Sequence, residues 1–336
     1  MGESASKSRI TWIDTARGIA ILLVIIGHTL APSTARAVIY SFHMPLFFML
    51  SGMTFRRKSA REVVVTGMRR LIVPYLLIFL MWTVAVKLAW TPVIDGGELF
   101  QLAGTLVFAS GTTVEPFGFS AVGMSWFLVC LFFARLMLNT LIGVFGEDRR
   151  GMALTGLCSA IGCAVGVYVG GRLRVFLPFS LDLALVATFF LWAGHALARL
   201  ESLGLPATER VLSSPAVLIA LPVWYLAMGR SAFELAERTY QSPVLAIVAA
   251  LAGSLLACAA ARMIDRVRIG RGVPRIIRGL RWCGSNSMAL YCVHAMDWWL
   301  PWANMAALAP LPAGAWMASA LRIACALSFT KLVRGK

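Results

Sequence analysis

Residues 10–30 read ITWIDTARGIAILLVIIGHTL, and this stretch decides the class of fold. A membrane-spanning helix needs about 20 mostly apolar residues, and the run reaches that length. The apolar core of a cleavable signal peptide is shorter, about 7–15 residues, so the stretch predicts a retained membrane helix. Three ionisable side chains interrupt it: Asp14, Arg17 and His28.

The composition extends this prediction to the rest of the chain. Of 336 residues, 59% are hydrophobic and 14% are charged. In an average soluble domain, about 45–50% of the residues are hydrophobic and about 25% are charged. The mean hydropathy is +0.79. These values exclude a soluble globular enzyme, a disordered chain and a coiled coil. They predict an all-α polytopic membrane protein.

Ten segments are long and apolar enough to be spanning helices. They are residues 11–31, 37–55, 71–90, 123–145, 152–170, 181–199, 214–229, 243–263, 284–303 and 314–330. The apolar stretch 99–110 is shorter, and we expect an interfacial or re-entrant helix there. No tandem repeat or separate soluble segment is visible, so residues 1–336 are predicted to form one integral-membrane domain.

The formal charge of +16 is spread unevenly along the chain. Most Lys and Arg residues fall in the tails and in four loops, at 56–70, 146–151, 200–212 and 264–283, whereas residues 91–122 have none. The positive-inside rule then places both termini in the cytoplasm and predicts a multi-pass protein of the cytoplasmic (inner) membrane. Because topology explains the charge, we expect no nucleic-acid partner. The arginines left in the predicted outer loops are Arg36, Arg172, Arg174, Arg230 and Arg238.

Arg17 and His28 are predicted to share one face of the first helix. Eleven positions at about 100° each bring the two side chains to within roughly 20° of one direction, and a rise of about 1.5 Å per residue separates them by roughly 16 Å. Asp14 lies near the same stripe, one turn earlier. Ionisable groups inside a membrane are functional candidates because burying them is costly. The alternative is that Arg17 snorkels to the headgroups and His28 only forms a hydrogen bond in the core.

Other candidates have structural alternatives of equal or greater weight. His43 and Ser51 lie in the second segment, where the residue types favour packing over catalysis. Tyr291 and His294 stand at i and i+3 and share a helix face; they line a site or bond to a neighbouring helix. The seven cysteines lie in or beside apolar segments with no CxxC pair, so we expect neither disulfides nor a metal site.

The other candidate site residues are basic or aromatic. Arg69 and Arg70 adjoin the third helix, and topology alone explains them. Arg135, within the fourth helix, binds an anionic group or pairs with an acidic residue. Trp126 is more typical of an interface anchor than of a platform for a sugar.

Several motifs occur together in a specific order. Asp14 and Arg17 are followed, after ten intervening residues, by His28; the later motifs are FHMPLFFMLSG (42–52), RRLIVPY (69–75), SWFL (125–128), LPFSLDLALVATFFLWAGHAL (from 177) and GSNSMALYCVH (284–294). This order resembles the membrane-bound acyltransferase 3 family, close to its fucose O-acetylase-like members. It covers nearly the whole chain, although Gly194 precedes His195 where the family usually has an aromatic residue.

The resemblance implies an O-acyltransferase, most simply an O-acetyltransferase, that moves an acyl group from acyl-CoA to a hydroxyl of a carbohydrate or envelope glycolipid. It implies catalysis by His28 with Asp14, and donor binding by Arg17, Arg69 and Arg70. A site lined by His43, Ser51, Trp126, Tyr291 and His294 completes these assignments. Acetyl-CoA or another acyl-CoA would be a co-substrate, with no permanently bound cofactor. The alternative from the residues alone is a secondary transporter of a small anionic or sugar substrate.

Overall fold

The computed structural model describes residues 10–90, 95–230, 233–269, 272–297 and 313–334. Helices dominate these residues, and one short antiparallel hairpin accompanies them. The helices are α1 (Thr11–Thr29), α2 (Thr34–Tyr40), α3 (His43–Met53), α4 (Ala60–Gly67), α5 (Val73–Trp90), α6 (Gly96–Phe108), α7 (Trp126–Phe145), α8 (Arg149–Gly166), α9 (Leu181–Ala198), α10 (Thr208–Ser213), α11 (Ala220–Met228), α12 (Pro243–Arg266), α13 (Arg275–Ser285), α14 (Ser287–Met296) and α15 (Ala313–Arg334). The strands are β1 (Phe233–Glu234) and β2 (Thr239–Tyr240).

Seven helices among the described residues are long and apolar enough to cross a membrane. They are Thr11–Thr29, Ala60–Ala85, Gly123–Phe145, Arg149–Arg172, Pro178–Ala198, Pro243–Arg266 and Ala313–Arg334. The prediction of an all-α polytopic membrane protein is therefore confirmed. The number of ten spans stays a prediction, because Pro215–Met228 and Ser287–Met296 are apolar but shorter, and part of the predicted segment 284–303 lies outside the described residues.

The predicted second span, residues 37–55, is divided in two. Helix α2 ends at Tyr40 and α3 begins at His43, with Ser41 and Phe42 between them. Pro45 accounts for the break, because it has no backbone N–H to donate to the carbonyl of Ser41, four residues earlier. In the first turn of α3 the missing donor costs nothing, and the next residue, Leu46, donates to the carbonyl of Phe42 at 2.8 Å.

The predicted loop 56–70 is helical from Ala60 onward. Ser59 and Glu62 form a capping box, in which the Ser59 hydroxyl accepts from the Glu62 N–H and the Glu62 carboxylate accepts from the Ser59 N–H. The helix then passes through a π-helical turn, Met68–Ile72, into α5. A second π-helical turn, Val167–Arg172, extends α8. The stretch 99–110, expected to be a short helix, lies largely in α6.

Glycines bring the central helices into backbone contact. A Cβ atom on Gly52 of α3 would lie 2.0 Å from the carbonyl oxygen of Leu191 in α9, and one on Gly194 would lie 2.0 Å from that of Met49. The same holds where α1 crosses α13, because a Cβ on Gly18 would lie 2.0 Å from the carbonyl oxygen of Leu280. Small residues at such crossings allow the close packing on which membrane helices depend.

A buried ion pair fixes the hairpin to the bundle. The Arg238 guanidinium donates to the Asp182 carboxylate at 2.6 Å, and neither side chain is exposed. Arg238 also donates to Ser110 at 3.0 Å, and Ser180 donates to the carbonyl of Ala109 at 2.7 Å. These loops form one end of the bundle, the hairpin end, which the charge distribution predicts to be the outer side.

Candidate active site

Three histidines from three helices meet near the hairpin end. His28 lies in the last turn of α1, His43 begins α3, and His294 lies in α14. The ring centroid of His28 is 5.5 Å from that of His294 and 6.5 Å from that of His43. The Tyr40 ring lies 5.9 Å from His28 and 4.8 Å from His43. We call His28, His43, His294 and Tyr40 the histidine cluster.

Backbone carbonyls orient two of these imidazoles. Nδ1 of His28 lies 2.8 Å from the carbonyl oxygen of Val24, and Nδ1 of His43 lies 2.9 Å from that of Ile39. A carbonyl oxygen only accepts hydrogen bonds, so Nδ1 holds the proton in each ring. In the neutral ring, Nε2 is then left with a lone pair. A neutral His28 in this tautomer has the free Nε2 lone pair that a general base requires.

His294 has a carboxylate partner that the sequence interpretation missed. Its Nδ1 lies 3.3 Å from Oδ2 of Asp297, and the Arg322 guanidinium holds the same carboxylate through both oxygens at 2.5–3.1 Å. Nε2 of His294 is buried and has no hydrogen-bond partner among the described residues. A carboxylate behind a histidine fixes its tautomer and stabilises the imidazolium form.

The signal for this pair was present in the sequence. Arg322 lies within the apolar segment 314–330, and an ionisable residue inside a membrane helix is a functional candidate by default. Asp297 stands three residues after His294, close enough on a helix to face it. Their mutual contact could not be predicted, because it depends on how α14 packs against α15.

A cavity of about 230 Å³ reaches the histidine cluster from the hairpin end. His28, His43, Trp126 and Tyr291 line it, together with residues 233–237 of the hairpin. The Tyr291 hydroxyl donates to the carbonyl of Met124, which fixes the ring against the loop before α7. The fully buried His294 contacts the ring of His28. The structure thus brings together four of the predicted site-lining residues, with the hairpin as an additional wall.

Charged side chains also line the cavity, where it opens at the hairpin end. Arg36 lies 3.6 Å from Glu234, and its guanidinium sits 4.6 Å from the Tyr40 ring centroid. Partial burial raises the pKa of the Glu234 carboxyl above its ordinary value, while the charge of Arg36 acts to lower it. Glu237 also lines the cavity. Acidic acceptors beside aromatic rings make this mouth suited to a neutral ligand that is rich in hydroxyl groups.

Arg17 belongs to a second group of side chains, nearer the N-terminal end of α1 than His28. It donates to Thr54 at 2.7 Å and to the carbonyl of Leu50 at 3.2 Å. Arg135 donates to Ser51 at 3.3 Å, so Ser51 lies with the arginines and outside the cavity lining. The charges of Arg17 and Arg70 both act on Arg135. We call Arg17, Arg70 and Arg135 the arginine cluster.

The two remaining predicted residues, Arg69 and Asp14, lie at the same end of α1 as the arginine cluster. Arg69 is exposed beside Arg70 on the π-helical turn Met68–Ile72. Asp14 is buried at the crossing of α1 and α13, where its backbone carbonyl faces Gly284. Fourteen residues of helix separate Asp14 from His28, roughly 21 Å. The geometry therefore does not bring Asp14 to the histidine cluster with which it was predicted to act.

No group of three His, Cys, Asp or Glu residues in the described part of the chain is placed to hold a metal ion. Searches of the curated proteins and of the solved structures gave no significant match. The family comparison is positive: the model of the acyltransferase 3 family, described as an acyltransferase domain, matches residues 10–331. This match covers nearly the whole chain, including both clusters. The chain therefore belongs to the acyltransferase 3 family and is a multi-pass membrane acyltransferase.

Proposed function

We propose that the protein transfers an acyl group, most simply acetyl, from acyl-CoA to a hydroxyl of a carbohydrate or glycolipid. The observation that carries the proposal is the division of α1 between two sites. One end of the helix holds an arginine cluster, and the other holds a histidine cluster that faces a cavity. The family match favours this enzyme over the transporter alternative.

The arginine cluster supports the choice of donor. CoA carries several phosphate groups, and the planar guanidinium group binds phosphate oxygens through two parallel hydrogen bonds. Arg17 and Arg135 are each held by a neighbouring hydroxyl group, from Thr54 and Ser51 respectively. Their guanidinium groups are therefore positioned before a ligand arrives, which lowers the entropic cost of binding.

The histidine cluster supports the transfer step. Nε2 of His28 takes the proton of the acceptor hydroxyl as its oxygen attacks the thioester carbonyl carbon. The tetrahedral oxyanion then collapses and breaks the carbon–sulfur bond. CoA leaves as a thiolate and takes the proton back from the His28 imidazolium. The reaction gives an ester and free CoA and returns His28 to its neutral form.

The cavity supports a carbohydrate acceptor. Trp126 lines the cavity with an aromatic ring, and Glu234 and Glu237 offer hydrogen-bond acceptors for hydroxyl groups. The cavity opens at the hairpin end, which the charge distribution predicts to face outward. In this proposal, donor and acceptor approach His28 from opposite sides of the membrane.

The test compares two buried histidines in cells that lack the wild-type gene. Cells expressing His28→Ala should lose the acetyl mass increment from their envelope glycans, whereas cells expressing His195→Ala should retain it. His195 is a suitable control because it is buried in α9 and lies 3.3 Å from Glu147, away from the cavity. Acetylated glycans in cells with normal amounts of the His28→Ala protein would refute the assignment of His28.

A further inference from the structure

One of the five arginines in the predicted outer loops has no partner among the described residues. Arg36 pairs with Glu234, and Arg238 pairs with Asp182. Arg174 and Arg230 donate to backbone carbonyls, those of Glu237 and Leu226. Arg172, by contrast, is exposed and makes no hydrogen bond or ion pair with the described part of the protein. It lies at the end of the π-helical turn Val167–Arg172, and such turns often occur at functional sites.

Arg172 stands at the edge of a groove separate from the catalytic cavity. The groove has a volume of about 620 Å³ and is mainly apolar. It lies between α8 with its π-helical turn, Phe189 of α9, and the first residues of α12. The lining residues from α8, its π-helical turn and α12 include Ala160, Ala164, Val167, Val244 and Ile247. All these helices belong to candidate membrane spans, so lipid is the natural neighbour of the open side.

The Tyr240 ring forms part of the wall of the groove. The Tyr240 side chain lines the groove, and its hydroxyl oxygen is shielded from solvent without a hydrogen-bond partner among the described residues. The ring packs against Gly171, where a Cβ atom would lie 2.7 Å from the tyrosine ring. The ring therefore adds apolar surface to the groove, while its hydroxyl oxygen lies out of reach of solvent in the groove.

We propose that this groove binds one glycerophospholipid with an anionic headgroup. The phosphate oxygens accept hydrogen bonds from Arg172, and an acyl chain lies along the apolar wall of α8 and α12. The groove begins at Ala160 and ends at Arg172, so it occupies only the half of this helix next to the hairpin end. That position matches one leaflet of a bilayer. The proposal is independent of the acyl-transfer reaction.

Native mass spectrometry of the purified full-length protein tests the proposal, with phosphatidylglycerol, diacylglycerol and glycerol 3-phosphate as separate probes. Arg172→Gln should weaken phosphatidylglycerol binding about fivefold, the usual effect of one basic residue near a membrane surface. Arg174→Gln is the matched control and should bind phosphatidylglycerol like the wild type. Diacylglycerol, which lacks the phosphate, should bind equally to wild type and Arg172→Gln. Equal phosphatidylglycerol binding by the two arginine variants, or its displacement by glycerol 3-phosphate, would overturn the proposal.

A second pair of variants tests the apolar wall. Ala164→Phe places a ring in the groove from an exposed position, whereas Ala153→Phe adds the same ring to α8 outside the groove. Ala164→Phe should lose both phosphatidylglycerol and diacylglycerol, and Ala153→Phe should keep both. Thermal unfolding of the two proteins checks that each is folded. If the folded Ala164→Phe protein retains phosphatidylglycerol as well as Ala153→Phe, the acyl chain does not lie in this groove.

Discussion

Replacing Gly284 by alanine should force α1 and α13 apart beside Arg17, at the end of α1 that we propose to bind the donor. An alanine Cβ at this position would lie 1.7 Å from the carbonyl oxygen of Asp14 and 2.5 Å from its carbonyl carbon. Restoring a 3.0 Å contact requires a shift of at least 1.3 Å. The obstructing atoms belong to the backbone, so no change of rotamer relieves the overlap.

The displacement should reduce both stability and donor binding. Overpacking of this kind costs about 1–3 kcal/mol, which lowers the midpoint of thermal unfolding. Arg17 follows Asp14 by one turn and moves with it, and a misplacement of about 1 Å at an active site can cost about 10²-fold in rate. The measurements are the unfolding midpoint, CoA affinity by calorimetry, and the rate of acyl transfer.

Gly279→Ala is the matched control in the same helix. A Cβ atom on Gly279 meets nothing within 4 Å, so this substitution creates no overlap. It should raise stability slightly, by about 0.5–1 kcal/mol, because glycine disfavours the helical state. If Gly284→Ala and Gly279→Ala have the same unfolding midpoint and the same CoA affinity, the close contact between α1 and α13 does not position Arg17.

Four further substitutions or probes test the assignment of roles. His28→Ala should reduce transfer by about 10²–10⁴-fold, the usual loss for a general base, and normal turnover would contradict its role. Arg17→Lys should weaken CoA binding, because the lysine ammonium group cannot form the two parallel hydrogen bonds that a guanidinium group makes to a phosphate. His28→Ala should leave the CoA affinity nearly unchanged. Equal losses of CoA affinity in the two variants, measured by calorimetry, would refute the assignment of donor binding to Arg17 and of the transfer step to His28. Asp297→Asn should lower turnover without changing CoA affinity, because Asp297 holds Arg322, which also contacts the end of α1 that carries His28; a loss of CoA affinity would contradict a role limited to the transfer step. A single cysteine at position 60 should react only with reagents applied from the cytoplasmic side, and labelling from outside would reverse the predicted topology.

Hydropathy predicted the long helices well because a spanning helix is defined by its own sequence. The segment 243–263, for example, lies within α12. The second segment was harder, because Pro45 indicates a kink in the apolar run 37–55 but not that a new helix begins at His43. The helical start at Ala60 also had a local signal, the Ser59–Glu62 capping box, which a count of basic residues in the loop overlooks.

Within the candidate site, the sequence could predict the relative position of two residues only where both lie in the same helix. Periodicity alone placed Arg17 and His28 on one face of α1. The meeting of His28 with His43 and His294 depends on how α1, α3 and α14 pack, and only the family resemblance pointed to it. The hairpin wall of the cavity was unpredictable for the same reason, because its position depends on the long-range ion pair between Asp182 and Arg238.

Arg322 holds the end of α1 that carries His28 and the His294 imidazole in one relative position. Its guanidinium holds Asp297, which orients His294, and it also lies 3.5 Å from the carbonyl oxygen of His28 and 3.4 Å from the Thr29 hydroxyl. The last turn of a helix leaves its carbonyls without partners, so a cation at this point stabilises the end of α1. One buried arginine therefore fixes both the helix that carries the proposed base and the carboxylate behind its neighbouring histidine. Since proton transfer requires hydrogen-bond geometry, this shared anchor accounts for the presence of a costly buried charge in an otherwise apolar helix.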